Sequence, residues 1–356
     1  MLIERIESSK TWSNESKVEL ITGNAAGVLF KDWEASHSFE FTEHICKQIF
    51  EDMGWFLNKI HISRSIDLEA CCCQIRIDGC IVSEARFLPN LYLAVLSKRE
   101  EVPPLGLDAG IIFENFNCVW LEQKFLYKVI KRGTILTPAN ALFSWLKTSL
   151  TQKLHELFGF EDLQNIIDLA TKTCPETVTE ALKTVTKPLL LQVFRNLLEE
   201  GVTLQPLENI FCSIALHAKE DCTSEYLTTI VRQNLSQHIC AKLADEYDFL
   251  NVILLSSELE SKFLQLNMEN AGINKNNVCE DFISSVAAYL KQNRKYCQYP
   301  VLLVHDNIRS LLSKALRKKI SDLHILSYSE IPAKRCLETI HTFSTCCSNQ
   351  ATDSTS

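Results

Sequence analysis

Cysteine and histidine are the side chains of this chain best suited to bind a metal, form a disulfide or act as a nucleophile, and their spacing favours none of these. Fifteen cysteines are an odd number. The first residues, MLIERIESSK, carry charge where a secretory signal needs an apolar stretch. A disulfide framework is therefore not expected. Cys71-Cys72-Cys73 and Cys346-Cys347 lack the C-x2-C spacing of a zinc site. Strand alternation places Cys71, Cys73, Ile75 and Ile77 on one face and Cys72, Gln74 and Arg76 on the other. The thiols are accordingly read as small, reduced, apolar core side chains.

The nine histidines form no H-E-x-x-H pair. His305 follows the apolar run PVLLV and precedes Asp306, which would put it at the C-terminal end of a strand, where α/β sheets hold ligands. A small-molecule enzyme built there is the least favoured reading. No G-x-S-x-G elbow is present. Gly23 to Gly27 (GNAAG) and Gly106 to Gly110 (GLDAG) lack the Lys-Ser/Thr of a phosphate loop and read as turn glycines. No catalytic residue, metal or cofactor is expected.

Composition narrows the class further. The chain has 356 residues, 46% hydrophobic and 22% charged, which is ordinary globular usage. A net charge of -8 argues against nucleic acid as a partner. No apolar run reaches the roughly 18 residues needed to cross a bilayer. Lys314, Arg317, Lys318 and Lys319 close a helix, where cations favour the helix dipole. An acidic-partner patch is the second reading of that cluster.

The elements that would position these residues divide the chain into four pieces, an α+β multi-subdomain reading. Residues 1–97 with 138–157 form a first α+β subdomain. In it Phe41 to Trp55 reads as a helix stopped at Gly54. The runs Leu57 to Ile62, Cys71 to Ile77 and Cys80 to Ser83 read as strands, the last two joined by an Asp78-Gly79 hairpin turn. Pro138 to Leu157 returns to helix. Residues 98–137 form a small inserted subdomain: a Pro/Gly-rich loop, the aromatic run Ile111 to Leu121, and strand character from Tyr127 to Ile135.

Residues 158–242 read as all helix. Leu190, Val193, Phe194, Leu197 and Leu198 make a core stripe that Gly201 ends. Residues 243–342 alternate: strand at Val252 to Leu255, helix at Phe282 to Leu290, strand at Pro300 to Val304, helix at Ile308 to Ile320, strand at Leu323 to Leu326. That order predicts a βαβ crossover and a mainly parallel sheet. Residues 343–356 read as a polar, disordered tail.

Two sets of residues stand out as binding candidates. Phe113, Phe116, Trp120 and Trp145 are aromatics in or beside the inserted piece. They suit either a local core or a groove for a partner helix, since such residues anchor interfaces. Arg195 and Glu199 lie i, i+4 on the outer side of a helix whose other side is core, and Arg232 is similarly placed on a later helix. All three are candidates for contacts between copies of the chain.

The motifs ELFG (Glu156 to Gly159), VFRNLLEEGV (Val193 to Val202), VRQNL (Val231 to Leu235), PVLLV followed by IRSLLSKAL, and LHILSYSEIP (Leu323 to Pro332) resemble one family in order and spacing. It is the cytoplasmic domain of the type III secretion export gate, found in flagellar and injectisome machines. The resemblance runs from about Val18 to Ile340 and informs the limits of the four pieces. It implies a four-subdomain protein of the cytoplasmic face of the bacterial inner membrane, assembled through its helical subdomain into a homo-oligomeric ring, usually of nine. The ring would dock export chaperone-cargo complexes, a gatekeeper and the ATPase stalk, and would not be an enzyme.

Carried over residue by residue, the docking groove falls on Phe113, Phe116 and Ser144, with Trp120 beside them. Flagellar members have aspartate where Phe113 stands and threonine where Ser144 stands. The family's I-R-D-N and I-R-D-L read Ile62-Ser63-Arg64-Ser65 and Leu204-Gln205-Pro206-Leu207 here. The spacing from Pro175 to Leu197 is similar to injectisome members. A membrane half, missing or on a separate chain, would complete the gate. A monomeric chaperone or adaptor using the same groove is the alternative.

Overall fold

The computed structural model describes residues 17–36, 40–57, 59–97, 106–110, 112–113, 116–131, 133–268, 272–293 and 299–344. The loop 98–105, Cys346-Cys347 and the tail from 345 onward lie outside the described residues. The chain is a mixed α+β protein with three four-stranded sheets among the described residues.

The first sheet contains β1 (Val18–Thr22), β2 (Ile60–Arg64), β3 (Cys72–Ile77) and β4 (Cys80–Arg86), in the order β2-β1-β3-β4. Helices α1 (Val28–Ser36) and α2 (Phe41–Met53) separate β1 from β2. The β3–β4 hairpin turns where expected: Asp78 (φ 48°) and Gly79 (φ 79°) are both left-handed, as a two-residue type I′ turn requires. The expected helix stop also holds. Gly54 has φ 71° and donates its N–H to Phe50 O at 2.8 Å. A Cβ there would lie 2.4 Å from the Gln205 backbone nitrogen, so any side chain would push apart two packed segments.

The second sheet corrects the boundary drawn at residue 97. Strand β5 (Tyr92–Ser97) is one of its two inner strands, antiparallel to both β7 (Phe116–Leu121) and β8 (Gly133–Leu136), with short β6 (Leu107–Asp108) outside β7. An apolar strand such as YLAVLS needs both edges hydrogen-bonded to be buried, and only the later segment supplies two partners. The strand expected at Tyr127 to Ile135 is shorter. Gln123–Lys128 is a 3-10 helix, a turn that lets Val129 fill a small core with Ala94, Leu96, Val119 and Leu121.

Helix α3 (Pro138–Leu157) follows with the expected bounds, its first turn capped by Thr137 Oγ1 accepting from Asn140 N–H at 3.2 Å. The helical segment then runs α4 (Phe160–Thr173), α5 (Pro175–Thr184), α6 (Lys187–Glu199), α7 (Leu207–His217), α8 (Ser224–Asn234) and α9 (Ser236–Leu243). The predicted stripe on α6 is buried throughout.

The third sheet has the predicted parallel crossovers. Its strands are β9 (Phe249–Leu255), β10 (Val301–Val304), β11 (His324–Ser327) and β12 (Cys336–Phe343), in the order β11-β10-β9-β12. Helices α10 (Ser257–Met268) and α11 (Gly272–Asn293) lie between β9 and β10, and α12 (Asp306–Leu316) between β10 and β11. Alternate strand residues bury into different cores. Leu250, Val252, Val301 and Leu303 join the large core shared with the helical segment. Ile253, Leu255, Leu302 and Val304 join a second core under the C-terminal helices. Strand β12 went unread in the sequence because most of its side chains are exposed, which leaves an edge strand little apolar alternation to display.

Candidate docking site

Phe113 and Phe116 are brought together by one tight turn, in which Phe116 N–H donates to Phe113 C=O at 3.4 Å. Both rings are half-buried and pack against the main core. Ser144 is half-exposed on α3, between the buried side chains of Phe143 and Trp145.

Trp120 does not share this exposure, which corrects its assignment to the groove. Only 1% of it is accessible. It pairs with Leu93 on β5 and Leu107 on β6, and its ring meets Phe87 edge-on at 6.3 Å. Phe87 in turn contacts Trp145 at 5.3 Å, whose Nε1–H donates to Ser83 Oγ at 3.1 Å. Phe116, Cys118 and Trp120 occupy one face of β7 by alternation. Cover over that face is complete at Cys118 and Trp120 and partial at Phe116. Trp120 is therefore a core side chain, whereas Phe116 on the same strand is only half-buried. A further aromatic contact near Ser144 was not anticipated: Trp33 stacks on Phe143 at 4.4 Å, with rings 4° from parallel.

The candidate interface residues also separate. Glu199 is exposed, and Arg195 is half-buried with its Nε–H donating to Phe158 C=O at 2.8 Å. Arg232, expected on an outer face, is 2% exposed. Its Nε and Nη2 donate to the two carboxylate oxygens of Glu330 at 2.7 and 2.9 Å, and its Nη1 pairs with Glu200 at 2.9 Å. Arg309 on α12 donates to Glu200 at 2.9 Å and is equally buried. An arginine is tolerated here because two carboxylates compensate it. Burial resists ionisation of Glu200, yet the charges of Arg232 and Arg309 outweigh it and hold the carboxyl below the usual range. A helical stripe could not reveal this, since Glu330 arrives from 98 residues away.

His305 caps a helix. Its backbone N–H donates to Glu260 Oε1 at 2.7 Å, and its ring Nδ1 accepts from Asn307 N–H at 3.2 Å at the start of α12. Asp306 hydrogen-bonds Ser329. Lys314 pairs with Glu225 at 3.1 Å, joining the last helix to α8. Cys73 is fully buried and Cys72 nearly so, with Cys71 partly exposed. Burial, then hydrogen bonding to Glu69, pushes the Cys72 thiol up to about 11. Among the described residues no group of three or more His, Cys, Asp or Glu is arranged to hold a metal ion. Nor is any helix among them long and apolar enough to cross a membrane.

Residues 4–335 match the FHIPEP family. The chain belongs to the FHIPEP family. The flagellar biosynthesis protein FlhA of Escherichia coli is 26% identical over 293 residues, which is 82% of this chain and 42% of that protein. FlhA of Buchnera aphidicola from Schizaphis graminum is 27% identical over 297 residues, 81% of this chain and 42% of the relative. The chain thus spans about two fifths of the length of these relatives. Among solved structures, Shigella flexneri MxiA superposes with a TM-score of 0.72 at 20% identity, over 93% of this chain and 100% of that one. Chlamydia pneumoniae CdsV gives 0.73 at 19% identity, over 94% and 99%. The cytosolic domain of EscV from a type III secretion system, solved as a nonamer, gives 0.72 at 16% identity, over 94% and 98%. This FHIPEP member therefore has the fold of those export-gate domains.

Proposed function

We propose that this FHIPEP chain is the docking subunit of a type III export gate. In this reading it forms a ring whose half-open aromatic turn at Phe113 and Phe116 receives export chaperone-cargo complexes. The observation that carries the reading is that turn. Two phenyl rings that pack on the main core and stay partly exposed suit the apolar face of an amphipathic helix.

Assembly into a ring is supported by fold likeness to the EscV nonamer. A protein partner is supported by CdsV, which was solved in complex with CdsO and superposes with a TM-score of 0.73 at 19% identity. Glu199, exposed on α6, and Arg195 beside it are the side chains assigned to the contact between copies. Gatekeeper and ATPase-stalk proteins are the remaining partners, and the site of action is the cytoplasmic face of the inner membrane.

The test is titration of a purified export chaperone-cargo complex against the wild-type chain and Phe116→Ala. Weaker binding by the variant supports the groove, and equal affinity removes it. Solution mass over a concentration series separates a ring from a monomeric adaptor that uses the same turn.

A further inference from the structure

A pocket of about 30 Å3 opens between the helical segment and the third sheet, directly beside the buried ion cluster. Arg232 and Ser313 form part of its floor and are buried. Arg317 and His324 line its wall, and Lys242 stands exposed at its mouth. Gly201, at φ 72°, also lines it, and a Cβ there would lie within ordinary contact distance of the His324 ring and Arg317 Nη2.

The charges around this pocket do not balance. Glu200, which also lines it, and Glu330 are engaged by Arg232 and Arg309, two cations against two carboxylates. That leaves Arg317 and Lys242. Arg317 Nη1 donates to the carbonyl oxygens of Glu200 and Leu323, both at 3.4 Å, and forms no ion pair among the described residues. Lys242 Nζ reaches the Met53 sulfur at 4.0 Å, a weak acceptor. The charges of Glu200 and Glu199 act on Arg317, and that of Asp52 on Lys242, through space without a direct ion pair. The ring of His324 stays neutral in such surroundings, because burial and then the charges of Arg317, Lys242 and Arg232 disfavour its proton. Arg317 and Lys242 thus stand at one small opening whose lining carboxylate, Glu200, is already engaged by Arg232 and Arg309, which leaves their donors open to a further anionic partner.

We propose that this pocket binds a small oxyanion, of the phosphate or carboxylate class, between Lys242 and Arg317. The guanidinium fork offers paired N–H donors and the lysine a point charge, which together suit such an anion. The pocket volume is that of a few water molecules, so the anion or the tip of an acidic side chain fits and a nucleotide does not. Occupancy would tie α9 to α12 and the third sheet.

The experiment is calorimetric titration of inorganic phosphate, and separately of acetate, into the whole chain at constant ionic strength. Saturable one-to-one binding of either is expected. Lys242→Gln and Arg317→Gln should each weaken it about tenfold or more, the effect of losing one charge-assisted hydrogen bond. Tighter phosphate binding assigns the pocket to the free anion, and tighter acetate binding to an acidic side chain of another chain. In anion-free buffer Lys242→Gln should unfold at the same temperature as wild type or higher, since it removes one of two like charges. That measurement stands even if Arg317→Gln fails to fold. Heat that never saturates with either anion, or unchanged affinity in Lys242→Gln, overturns the proposal.

Discussion

Arg232 and Glu330 form a two-pronged ion pair inside the protein, with N–O distances of 2.7 and 2.9 Å. Arg232 comes from the helical segment and Glu330 from the turn after β11, which the resemblance had marked only as part of a motif. Their contact welds two pieces that the sequence read as separate. Arg232→Met would leave Glu330 buried with less compensation and should cost about 3–5 kcal/mol. Urea denaturation checks this, and a loss below about 1 kcal/mol would show that the cluster is not structurally coupled.

Stability should also fall in acid. The Glu200 carboxyl is depressed in the folded chain below its ordinary value of 4.5, so its contribution is present above that value and is lost as pH drops through the folded one. Glu200→Gln should lower stability at neutral pH and flatten the acid limb. An unchanged limb would mean that other carboxylates control it.

His324 gives a second pH window with its own sign. Its folded pKa is lowered to about 3 from 6.5, first by burial and then by neighbouring cations. The unfolded chain therefore binds the proton first, and stability declines as pH falls from 6.5 towards 3. His324→Gln should remove that slope. Unfolding midpoints at several pH values for both proteins measure it.

Two aromatic substitutions on one strand face should behave differently. Phe116→Ala should cost about 2 kcal/mol of chaperone binding, roughly thirtyfold, with little loss of melting temperature. Trp120→Ala empties a core site and should cost about 3–5 kcal/mol of stability. Equal stability losses would make Phe116 a core residue and not an anchor.

The thiols should divide by burial. Cys73→Val should cost less than about 1.5 kcal/mol, as near-isosteric core swaps do. Alkylation of the native chain should modify exposed Cys80, Cys212 and Cys336 before buried Cys46, whose thiol burial pushes up to about 12. Stoichiometric zinc in the purified chain would contradict this division.

Glu199→Lys should lower the oligomer mass without changing the monomer's melting temperature, because Glu199 is exposed. Arg195→Glu is the less clean probe, since Arg195 also holds the Phe158 carbonyl within the chain. Light scattering across a concentration series reads both. An oligomer unaffected by either substitution places the contact elsewhere.

Elements with a local cause were legible in the order of residues. The stripe Leu190 to Leu198, the stop at Gly54, the Asp78-Gly79 turn and the helix Pro138–Leu157 follow from spacing, φ preference and capping within a few residues. The parallel crossovers of the third sheet followed from element order and connection length. Family membership came from motif order over most of the chain. Tertiary structure alone decided which aromatics are open and which charges are buried. Trp120 and Phe116 have the same strand parity, and only the cover laid over β7 by distant segments distinguishes them. Arg232 sits on an amphipathic helix like any outward arginine. The carboxylates that make its burial tolerable come from Glu200 and Glu330, and long-range electrostatic compensation leaves no periodic trace in a sequence.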